Sequence, residues 1–304
     1  VKPFVKKHSI NFIKREIDKN KFNYDLKSAY IELIEPSNKS RFEGGRKKGI
    51  KILNNILIHK NYGETRNDLT KETTGLSAYM KYGCLSCREI YHIMKNNLGL
   101  KHDLIKQLIW REFYLQLLIS HPYVLEGKSL KEKYDNIVWK KDNVKFKKWC
   151  NGETGFPVVD AAMREMNETG FMHNRGRLIT ASFLVKNLLI DWRLGEKYFA
   201  TKLIDYDPAS NNGNWQWVAG SGADSMPYFR IFNPWRQSEN YDKECIYIKK
   251  WVPELIDVEP KDIHKWFEPK IRDKYKDIKY YEPIIDYSKS RNEALDLYKK
   301  YLKN

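Results

Sequence analysis

The sequence predicts a mainly α protein, and three observations support this fold class. From about residue 76 onward, apolar residues recur at helical spacing through most of the chain. Alternating β patterns are nearly absent, and no internal repeat occurs. The periodic segments are separated by loops that carry Pro and Gly, which end helices. These features predict helices near residues 86–97, 102–119, 158–168, 173–191, 196–203 and 240–250.

Residues 1–70 are less regular and rich in Lys, Asn and Ile. Short amphipathic pieces near 9–17 and 46–58 are divided by the loop EPSNKSRFEGG. Farther along, Ser86 and Glu89 fit the S-x-x-E capping box that opens a helix. Cys84 and Cys87 form a C-x-x-C, but no second cysteine pair or nearby His completes a zinc site. We therefore predict structural roles for both cysteines and no metal centre.

Composition and charge narrow the class of protein. The chain has 304 residues, of which 41% are hydrophobic, and no apolar run reaches the length of a membrane span. A net charge of +16 and a pI near 9.4 favour a polyanionic partner such as nucleic acid, although lysines also serve surface solubility. Four cysteines in a chain of this length do not make a disulfide framework, which indicates an intracellular protein of cytoplasm or nucleus. Neither G-x-G-x-x-G nor a Walker A sequence occurs, so a nucleotide cofactor needs another cradle.

The first chemical pattern is LIKQLIWREFYLQLL. Gln107, Trp110, Arg111 and Tyr114 fall on one helix face at i, i+3, i+4 and i+7. An amide, an indole, a guanidinium and a phenol on one face suit stacking on a flat base beside a phosphate. The alternative is a helix edge whose arginine reaches to solvent along its aliphatic stem.

The second pattern is TGFMHNRGRLITASFLVKNLLIDW. Gly170 is expected to end one helix, and Arg175 and Arg177 then lie in the first turn of the next. Cations are unfavourable at a helix N-terminus, so two arginines there indicate a nearby anion. Asn174 adds a donor and an acceptor. The alternative is that acidic side chains elsewhere in the fold neutralise the arginines.

The third pattern is DYDPASNNGNWQWVAGSGADSMPYFRIFNP, residues 205–234. Asp-Pro, Asn-Gly and the Gly-Ser steps are typical of turns and helix caps, yet Trp215 and Trp217 stand among them. Asp205 and Asp207 do not continue into an EF-hand, because that loop needs other residues downstream. The carboxylates and Asn211 instead suggest a polar rim for a heterocycle or ribose. The alternative is a capped turn over a hydrophobic core.

Together these segments resemble the FAD-binding helical domain of the DNA photolyase and cryptochrome family, most closely the class I photolyases that repair cyclobutane pyrimidine dimers. The resemblance runs from about Phe42 to YYEPIIDYSKSRNEAL near the C-terminus. It implies an all-α domain, residues 41–304, with FAD at the bottom of a cavity that admits a flipped-out lesion. Residues 1–40 resemble the linker that follows the family's α/β antenna domain, which this chain lacks. The chain is then a fragment, the partner of a separate N-terminal polypeptide, or a protein without an antenna.

The resemblance also implies roles for individual residues, which are carried over position by position. The phosphates of FAD are expected to lie near Tyr62, Thr73, Thr74, Leu76, Ser77 and Arg111. The flavin ring is expected to lie near Arg177, Asp205, Asp207 and Asn211, with Asp205 paired to Arg177, Asp207 meeting a ring N–H and Asn211 facing flavin N5. An electron-transfer chain is expected from Trp215 through Trp192 to Trp139 at the solvent, while Trp217 and Trp149 are interpreted as structural. The DNA lesion is expected to meet Gln107, Trp110, Phe171, Asn174 and Arg175.

The activity that the resemblance implies is light-dependent repair of damaged DNA by a deoxyribodipyrimidine photo-lyase, with electron transfer from photoexcited reduced FAD. Two residues depart from the dimer photolyases, which usually place Glu at Gln107 and Trp at Phe171. Asn174 and Leu178 argue against a six-four photolyase, which carries histidines at both positions. A cryptochrome-like sensor without repair activity is the alternative. A nucleic-acid-binding module without flavin is a third hypothesis.

Overall fold

The structure, a computed structural model, describes residues 41–302 of the chain. The predicted linker, residues 1–40, lies outside the described residues. Between residues 41 and 302 the regular secondary structure is helical, and no β-strand occurs there. The mainly α fold class is therefore confirmed. No helix in this part of the chain is long and apolar enough to span a membrane.

The helices are labelled in chain order. They are α1 (Arg46–Asn54), α2 (Tyr62–Thr65), α3 (Leu76–Lys81), α4 (Cys87–Leu98), α5 (Asp103–Ser120), α6 (Asn143–Asn151), α7 (Pro157–Thr169), α8 (Asn174–Ser182), α9 (Trp192–Lys202), α10 (Pro208–Ala219), α11 (Pro234–Tyr241), α12 (Ile246–Trp251), α13 (Pro260–Ile263), α14 (Pro269–Lys274) and α15 (Tyr287–Leu302). Short 3-10 helices cover Ile56–His59, Pro122–Glu126, Glu132–Asn136 and Pro253–Leu255, and a π-helical turn covers Phe183–Asn187.

Helix α4 begins where the capping pattern predicts. The backbone N–H of Glu89 donates to Ser86 Oγ at 3.0 Å, which satisfies one of the free donors at the helix start. The Glu89 carboxylate forms a different contact from the one expected in a capping box. It accepts two hydrogen bonds from Arg46, at 2.7 and 2.9 Å, and so ties α1 to α4. Cys84 and Cys87 are both free in this region.

Helix α10 is the main difference from the sequence prediction, because the sequence predicts turns and helix caps rather than a helix over residues 208–219. Asp207 caps this helix, accepting the N–H of Ser210 at 2.8 Å, and Pro208 occupies the first helical position. Gly220, with φ of 93°, ends it in the left-handed conformation. The polar residues Asn211 to Asn214 lower the helix propensity, but packing against α5 and α9 compensates.

Two other predicted segments divide in the structure. The span 173–191 holds α8 and then the π-helical turn Phe183–Asn187, so the helix is shorter than predicted. The span 240–250 contains the end of α11 and most of α12. Between them Asp242 accepts the N–H groups of Tyr247 and Ile248 at 3.0 and 2.8 Å, which starts α12 after a break. As predicted, α7 ends at Gly170, which has a φ of 71°.

The largest core surrounds Trp149, which is fully buried. Its ring stacks on Phe199 at 6.0 Å, and its Nε1 donates to the carbonyl of Thr180 at 3.0 Å. The structural role predicted for Trp149 is therefore confirmed. A second cluster packs α1, α3 and α4 onto α5. Helix α10 packs against α5, α8 and α9, which places it between the two clusters.

A buried carboxylate holds the loop before α7. Asp160 is fully buried and accepts hydrogen bonds from the N–H and hydroxyl of Thr154, the N–H of Gly155 and the hydroxyl of Tyr280. Burial raises the pKa of Asp160, while these four donors favour the charged form. The contact with Tyr280 links the loop to a segment far downstream in the chain.

We predict that Asp160→Asn lowers the free energy of unfolding by about 3 kcal/mol, because an amide NH₂ then faces groups that are themselves donors. Urea denaturation measures this difference. Asp257→Asn, at an exposed position, is the control and should leave the urea midpoint unchanged. A midpoint for Asp160→Asn that matches the wild type would contradict the role of these hydrogen bonds.

Candidate cofactor-binding cavity

A cavity of about 500 Å³ opens between α3, α5, α8 and α10. Its volume lies within the range of small-molecule and cofactor sites. Many of the residues singled out in the sequence meet here although they are far apart in the chain. The predicted residues that line the cavity are Ser77, Gln107, Trp110, Arg111, Asn174, Arg177, Asp205, Asp207, Asn211 and Trp215.

Asp205 is the centre of the polar wall. Arg177 Nη2 lies 3.0 Å from both carboxylate oxygens of Asp205, so the predicted pair is confirmed. Ser77 adds a hydroxyl that donates to Asp205 at 2.7 Å, and Arg177 Nε donates to the carbonyl of Met172 at 2.9 Å. Asp205 thus neutralises Arg177, which agrees with the alternative given above that acidic side chains elsewhere in the fold neutralise the arginines. Both members of the pair line the cavity.

Arg111 is different, because no hydrogen bond or ion pair holds its guanidinium within residues 41–302. It lies on α5 and lines the cavity together with Arg66 and Lys81. A half-buried guanidinium without a protein partner is suited to an anion such as a phosphate or diphosphate. This part of the wall therefore fits the phosphates of a nucleotide.

Four other residues expected beside the phosphates lie outside the cavity lining: Tyr62, Thr73, Thr74 and Leu76. Leu76 is buried in the second cluster, which packs α1, α3 and α4 onto α5. The Thr74 hydroxyl accepts the N–H of Leu76 at 3.4 Å. These contacts stabilise the start of α3, which carries Ser77. Direct contact of the four residues with a cofactor stays a prediction.

Asn211 faces the cavity from the second turn of α10, and its amide is held from behind. Its Nδ2 donates to the side chain and the backbone carbonyl of Glu196 at 3.0 and 3.2 Å. Burial raises the pKa of the Glu196 carboxyl. The sequence does not predict this contact of Glu196, because a single acidic residue in the middle of α9 belongs to no pattern that distinguishes it from a surface residue.

Trp215 is almost fully buried and forms the aromatic base of the cavity. Its ring packs edge-on against Phe199 at 5.0 Å and Trp149 at 6.2 Å. The close approach of α9 to α10 requires Gly195, because a Cβ there would lie 2.2 Å from the Trp215 ring. The backbone of α9 thereby fixes the position of this indole.

Trp192 and Trp139 are the other two members of the predicted electron-transfer chain, and neither lines the cavity. Trp192 is buried at the first position of α9. Trp139 is half-buried rather than fully at the solvent, and its ring meets Tyr298 of α15 edge-on at 6.1 Å. The assignment of the three residues as a chain stays a prediction.

Residues expected to meet a DNA lesion line the same cavity. Gln107, Trp110 and Asn174 line it, and Trp110 stacks on Tyr114 at 6.0 Å. Trp217 lines the cavity as well. It also packs against the main core, in keeping with the structural role predicted for it.

Phe171 and Arg175 do not line the cavity. Phe171 is buried between the guanidinium groups of Arg41 and Arg177, whose carbons lie 4.7 and 5.4 Å from the ring centre. The Phe171 ring packs against Arg177, and contact of Phe171 with a DNA lesion stays a prediction. Arg175 donates to Asn67 at 2.6 Å and covers the Tyr241 ring at 4.1 Å, so its DNA contact stays a prediction.

These walls define a class of protein. Arg111, the Asp205 and Arg177 pair and Asn211 line the cavity. So do the large rings of Trp110 and Trp217, here called the aromatic wall. This donor set fits a large anionic cofactor with a heteroaromatic ring, with room for a second flat group. The chain is a helical nucleotide-cofactor-binding protein.

Comparison with known proteins narrows this class. The profile of the family described as "FAD binding domain of DNA photolyase" matches residues 104–300. A deoxyribodipyrimidine photo-lyase of Buchnera aphidicola is 43% identical over 298 residues, which cover 94% of this chain and 61% of the relative. One of Vibrio cholerae is 43% identical over 250 residues, which cover 79% of this chain and 52% of the relative.

Solved structures give a consistent result. A bacterial class III photolyase from Agrobacterium tumefaciens aligns with a TM-score of 0.83 and 38% identity, covering 91% of this chain and 61% of that chain. A cryptochrome from Synechocystis aligns with a TM-score of 0.76 and 34% identity, covering 87% of this chain and 58% of that chain. The chain spans about half to three fifths of the length of these proteins.

The chain belongs to the family of FAD-binding domains of DNA photolyases. FAD is therefore its cofactor, and the donor set of the cavity fits FAD. Arg111 is suited to the diphosphate, while the Asp205 and Arg177 pair and Asn211 offer hydrogen-bonding groups to a flavin ring.

We predict that Arg111→Ala weakens FAD binding about 10-fold or more, because one charge-assisted contact with a phosphate is lost. A fluorescence titration of apoprotein with FAD measures the dissociation constant. Lys106→Ala, on the exposed side of the same helix, is the matched control and should bind FAD as the wild type does. Equal affinity of the two variants would argue against a phosphate contact at Arg111.

Proposed function

We propose that the protein repairs cyclobutane pyrimidine dimers in DNA in a light-dependent lyase reaction. One observation carries this proposal, namely that the residues suited to the cofactor and large aromatic rings line one and the same cavity. Trp110 and Trp217 offer flat faces to a lesion that has left the DNA stack, and Gln107 and Asn174 offer amide groups to its base edges. The curated relatives bear the name deoxyribodipyrimidine photo-lyase, which supports the same activity.

Damaged DNA is the proposed partner. The net charge of +16 favours a polyanion, and Arg66 and Lys81 place positive charge along the cavity itself. Phosphate contacts position the duplex, whereas the aromatic wall holds the extruded bases. The cavity therefore combines an electrostatic attraction with a site that recognises flat, unstacked bases.

When bound in its reduced form, FAD supplies the light-driven electron for opening the cyclobutane ring. The protein supplies position and environment. The pair of Asp205 and Arg177 and the almost fully buried Trp215 ring both line the cavity. Asn211 is held in one orientation by Glu196, so its amide oxygen stays available to the cavity. These fixed dipoles need no reorganisation when charge moves.

Gln107 limits the rate of the proposed repair reaction. Its Nε2 donates to the carbonyl of Asp103 at 3.2 Å, one turn earlier in α5. The remaining N–H and the oxygen can bind a base edge, but an amide holds no exchangeable carboxyl proton with which to stabilise negative charge on the lesion. We therefore propose a dimer repair that is slower than with Glu at this position.

We predict that Gln107→Glu raises the quantum yield of dimer repair several-fold. This change corresponds to about 1 kcal/mol in the difference between the barriers for ring opening and for unproductive return of the electron. The yield is measured on an oligonucleotide with one thymine dimer. Gln116→Glu, on the exposed face of the same helix, controls for added negative charge and should have no effect. An unchanged yield in Gln107→Glu would contradict a role of this side chain in stabilising charge.

The buried indoles suggest how the cofactor is brought to its reduced state. Trp215 at the base of the cavity, Trp192 at the start of α9 and half-buried Trp139 are proposed to pass electrons inward from the surface. Helices α9 and α10 pack closely at Gly195, which holds the first two members in fixed positions.

We predict that Trp215→Phe slows photoreduction of bound oxidised FAD at least about 100-fold, because phenylalanine is far harder to oxidise than an indole. Absorbance at 450 nm under blue light measures the rate. Trp251→Phe, in a half-buried position of α12, is the control and should photoreduce normally. A normal rate in Trp215→Phe would exclude this residue as the first electron donor.

The decisive test of the proposed function is repair of a thymine dimer by purified protein with reduced FAD, under blue light and in the dark. Light-dependent recovery of the thymines supports the photolyase. Absence of repair despite bound, reduced FAD favours a cryptochrome-like sensor, to which the likeness to a cryptochrome structure also points. In that case adding an N-terminal antenna domain in trans tests whether a separate polypeptide is needed.

A further inference from the structure

The ring of Phe171 brings a second arginine close to the Asp205 and Arg177 pair. The guanidinium carbon of Arg177 lies 5.4 Å from the centre of this buried ring. The guanidinium carbon of Arg41, which belongs to the segment before α1, lies 4.7 Å from the same centre. The two arginines therefore meet at one ring, although only Arg177 lines the cavity.

A buried carboxylate accounts for the position of Arg41. Glu165 of α7 is 4% exposed, and Arg41 Nη1 lies 3.6 Å from its Oε1. The other oxygen, Oε2, accepts the Tyr247 hydroxyl at 2.6 Å and the backbone N–H of His173 at 3.1 Å. Arg41 also lies 3.9 Å from Glu72, but that carboxylate is exposed and water screens the contact. Glu165 is therefore the main acidic partner of Arg41.

The charge state of Glu165 depends on both arginines. Burial raises the pKa of the Glu165 carboxyl, while its two hydrogen bonds and the charges of Arg41 and Arg177 lower it. Asp205, the partner of Arg177, is also buried. A buried carboxylate is costly in its charged form unless a cation compensates it. Two buried carboxylates thus depend on two arginines that contact the same ring.

We propose that Arg41 is a positioning residue for the cofactor site, because it neutralises Glu165 and so leaves Arg177 to pair with Asp205. Without the charge of Arg41, Glu165 competes with Asp205 for Arg177. The pair that lines the cavity then weakens, and FAD loses part of its binding surface. This inference rests on the expected place of the flavin beside the pair, and it does not depend on the repair reaction.

Arg41→Met keeps an apolar stem against Phe171 and removes the charge. The pKa of Glu165 then rises further, because one of the cations that lower it is lost. In acid Glu165 is protonated and does not compete for Arg177, whereas at higher pH it is charged and competes. The affinity of this variant for FAD should therefore fall as the pH rises. His173 does not titrate in this range, since burial and the nearby arginines lower its pKa to about 4.

Fluorescence titration of the apoprotein with FAD, from about pH 6 to about pH 9, measures this dependence. We expect Arg41→Met to bind FAD within about 2-fold of the wild type at the acid end and about 10-fold more weakly at the alkaline end. Adding Glu165→Gln to Arg41→Met should restore the wild-type affinity at every pH, because no second carboxylate then competes for Arg177. A loss caused only by poorer packing would not be restored in this way.

Two results would overturn the proposed role of Arg41. One is an affinity of Arg41→Met that equals the wild type at every pH, and the other is a weaker affinity that Glu165→Gln does not restore. Arg46→Met is the matched control, because Arg46 pairs with Glu89 and neither residue lines the cavity. It should follow the wild-type profile, and a pH dependence like that of Arg41→Met would contradict a specific effect on Arg177.

Arg177→Met tests the expected place of the flavin separately. If this variant binds FAD as the wild type does, that place is wrong, and urea denaturation of the apoprotein tests the competition between the carboxylates alone. A carboxyl whose pKa is higher in the folded than in the unfolded protein contributes less stability as the pH rises. Arg41→Met should therefore lose more stability than the wild type over the same pH range, and the variant that also carries Glu165→Gln should not. Parallel profiles of the wild type and Arg41→Met would contradict the inference.

Discussion

The buried carboxylate of Asp205 is the interaction on which the cavity depends. It holds Arg177 from α8 and Ser77 from α3, so three distant parts of the chain meet at one group. A buried charge of this kind is costly unless it is paired and hydrogen-bonded, and here both conditions hold. Asp205 lies two residues before Asp207, which caps α10. The same short segment therefore closes the polar wall and sets the position at which α10 begins.

Helix α10 contributes three side chains to the cavity, an amide and two indoles. Asn211 and Trp215 are four residues apart and face the cavity one turn above the other, and Trp217 reaches the aromatic wall. The helix can approach α9 this closely only because position 195 is a glycine. Its last carbonyl, that of Ala219, meets Lys186 and Tyr298. A single helix thus connects the cofactor cavity to the cluster formed by Tyr134, Tyr228 and Tyr298.

The sequence predicts the helical fold and the helices whose ends carry clear caps, such as α4 after Ser86 and α7 before Gly170. It does not predict α10, because Asn-Asn-Gly-Asn resembles a turn and the stabilising contacts come from distant helices. Most of the residues that the resemblance singled out line one cavity. It gave no sign of the contact of Phe171 with Arg177 or of the hydrogen bonds between Glu196 and Asn211. These details depend on side-chain packing, which spacing along the chain does not encode.

The burial of Lys186 has a consequence for how the protein is made. Lys186 is synthesised long before α15, which begins at Tyr287 and carries the Tyr298 ring that covers the amine. In the unfolded chain Lys186 is open to water and carries its ordinary positive charge. Burial lowers the pKa of Lys186 in the folded protein, so folding favours loss of this proton. Lys186 therefore makes the stability of this end of the molecule depend on acidity, and its contribution becomes more favourable as the pH rises toward the ordinary pKa of lysine.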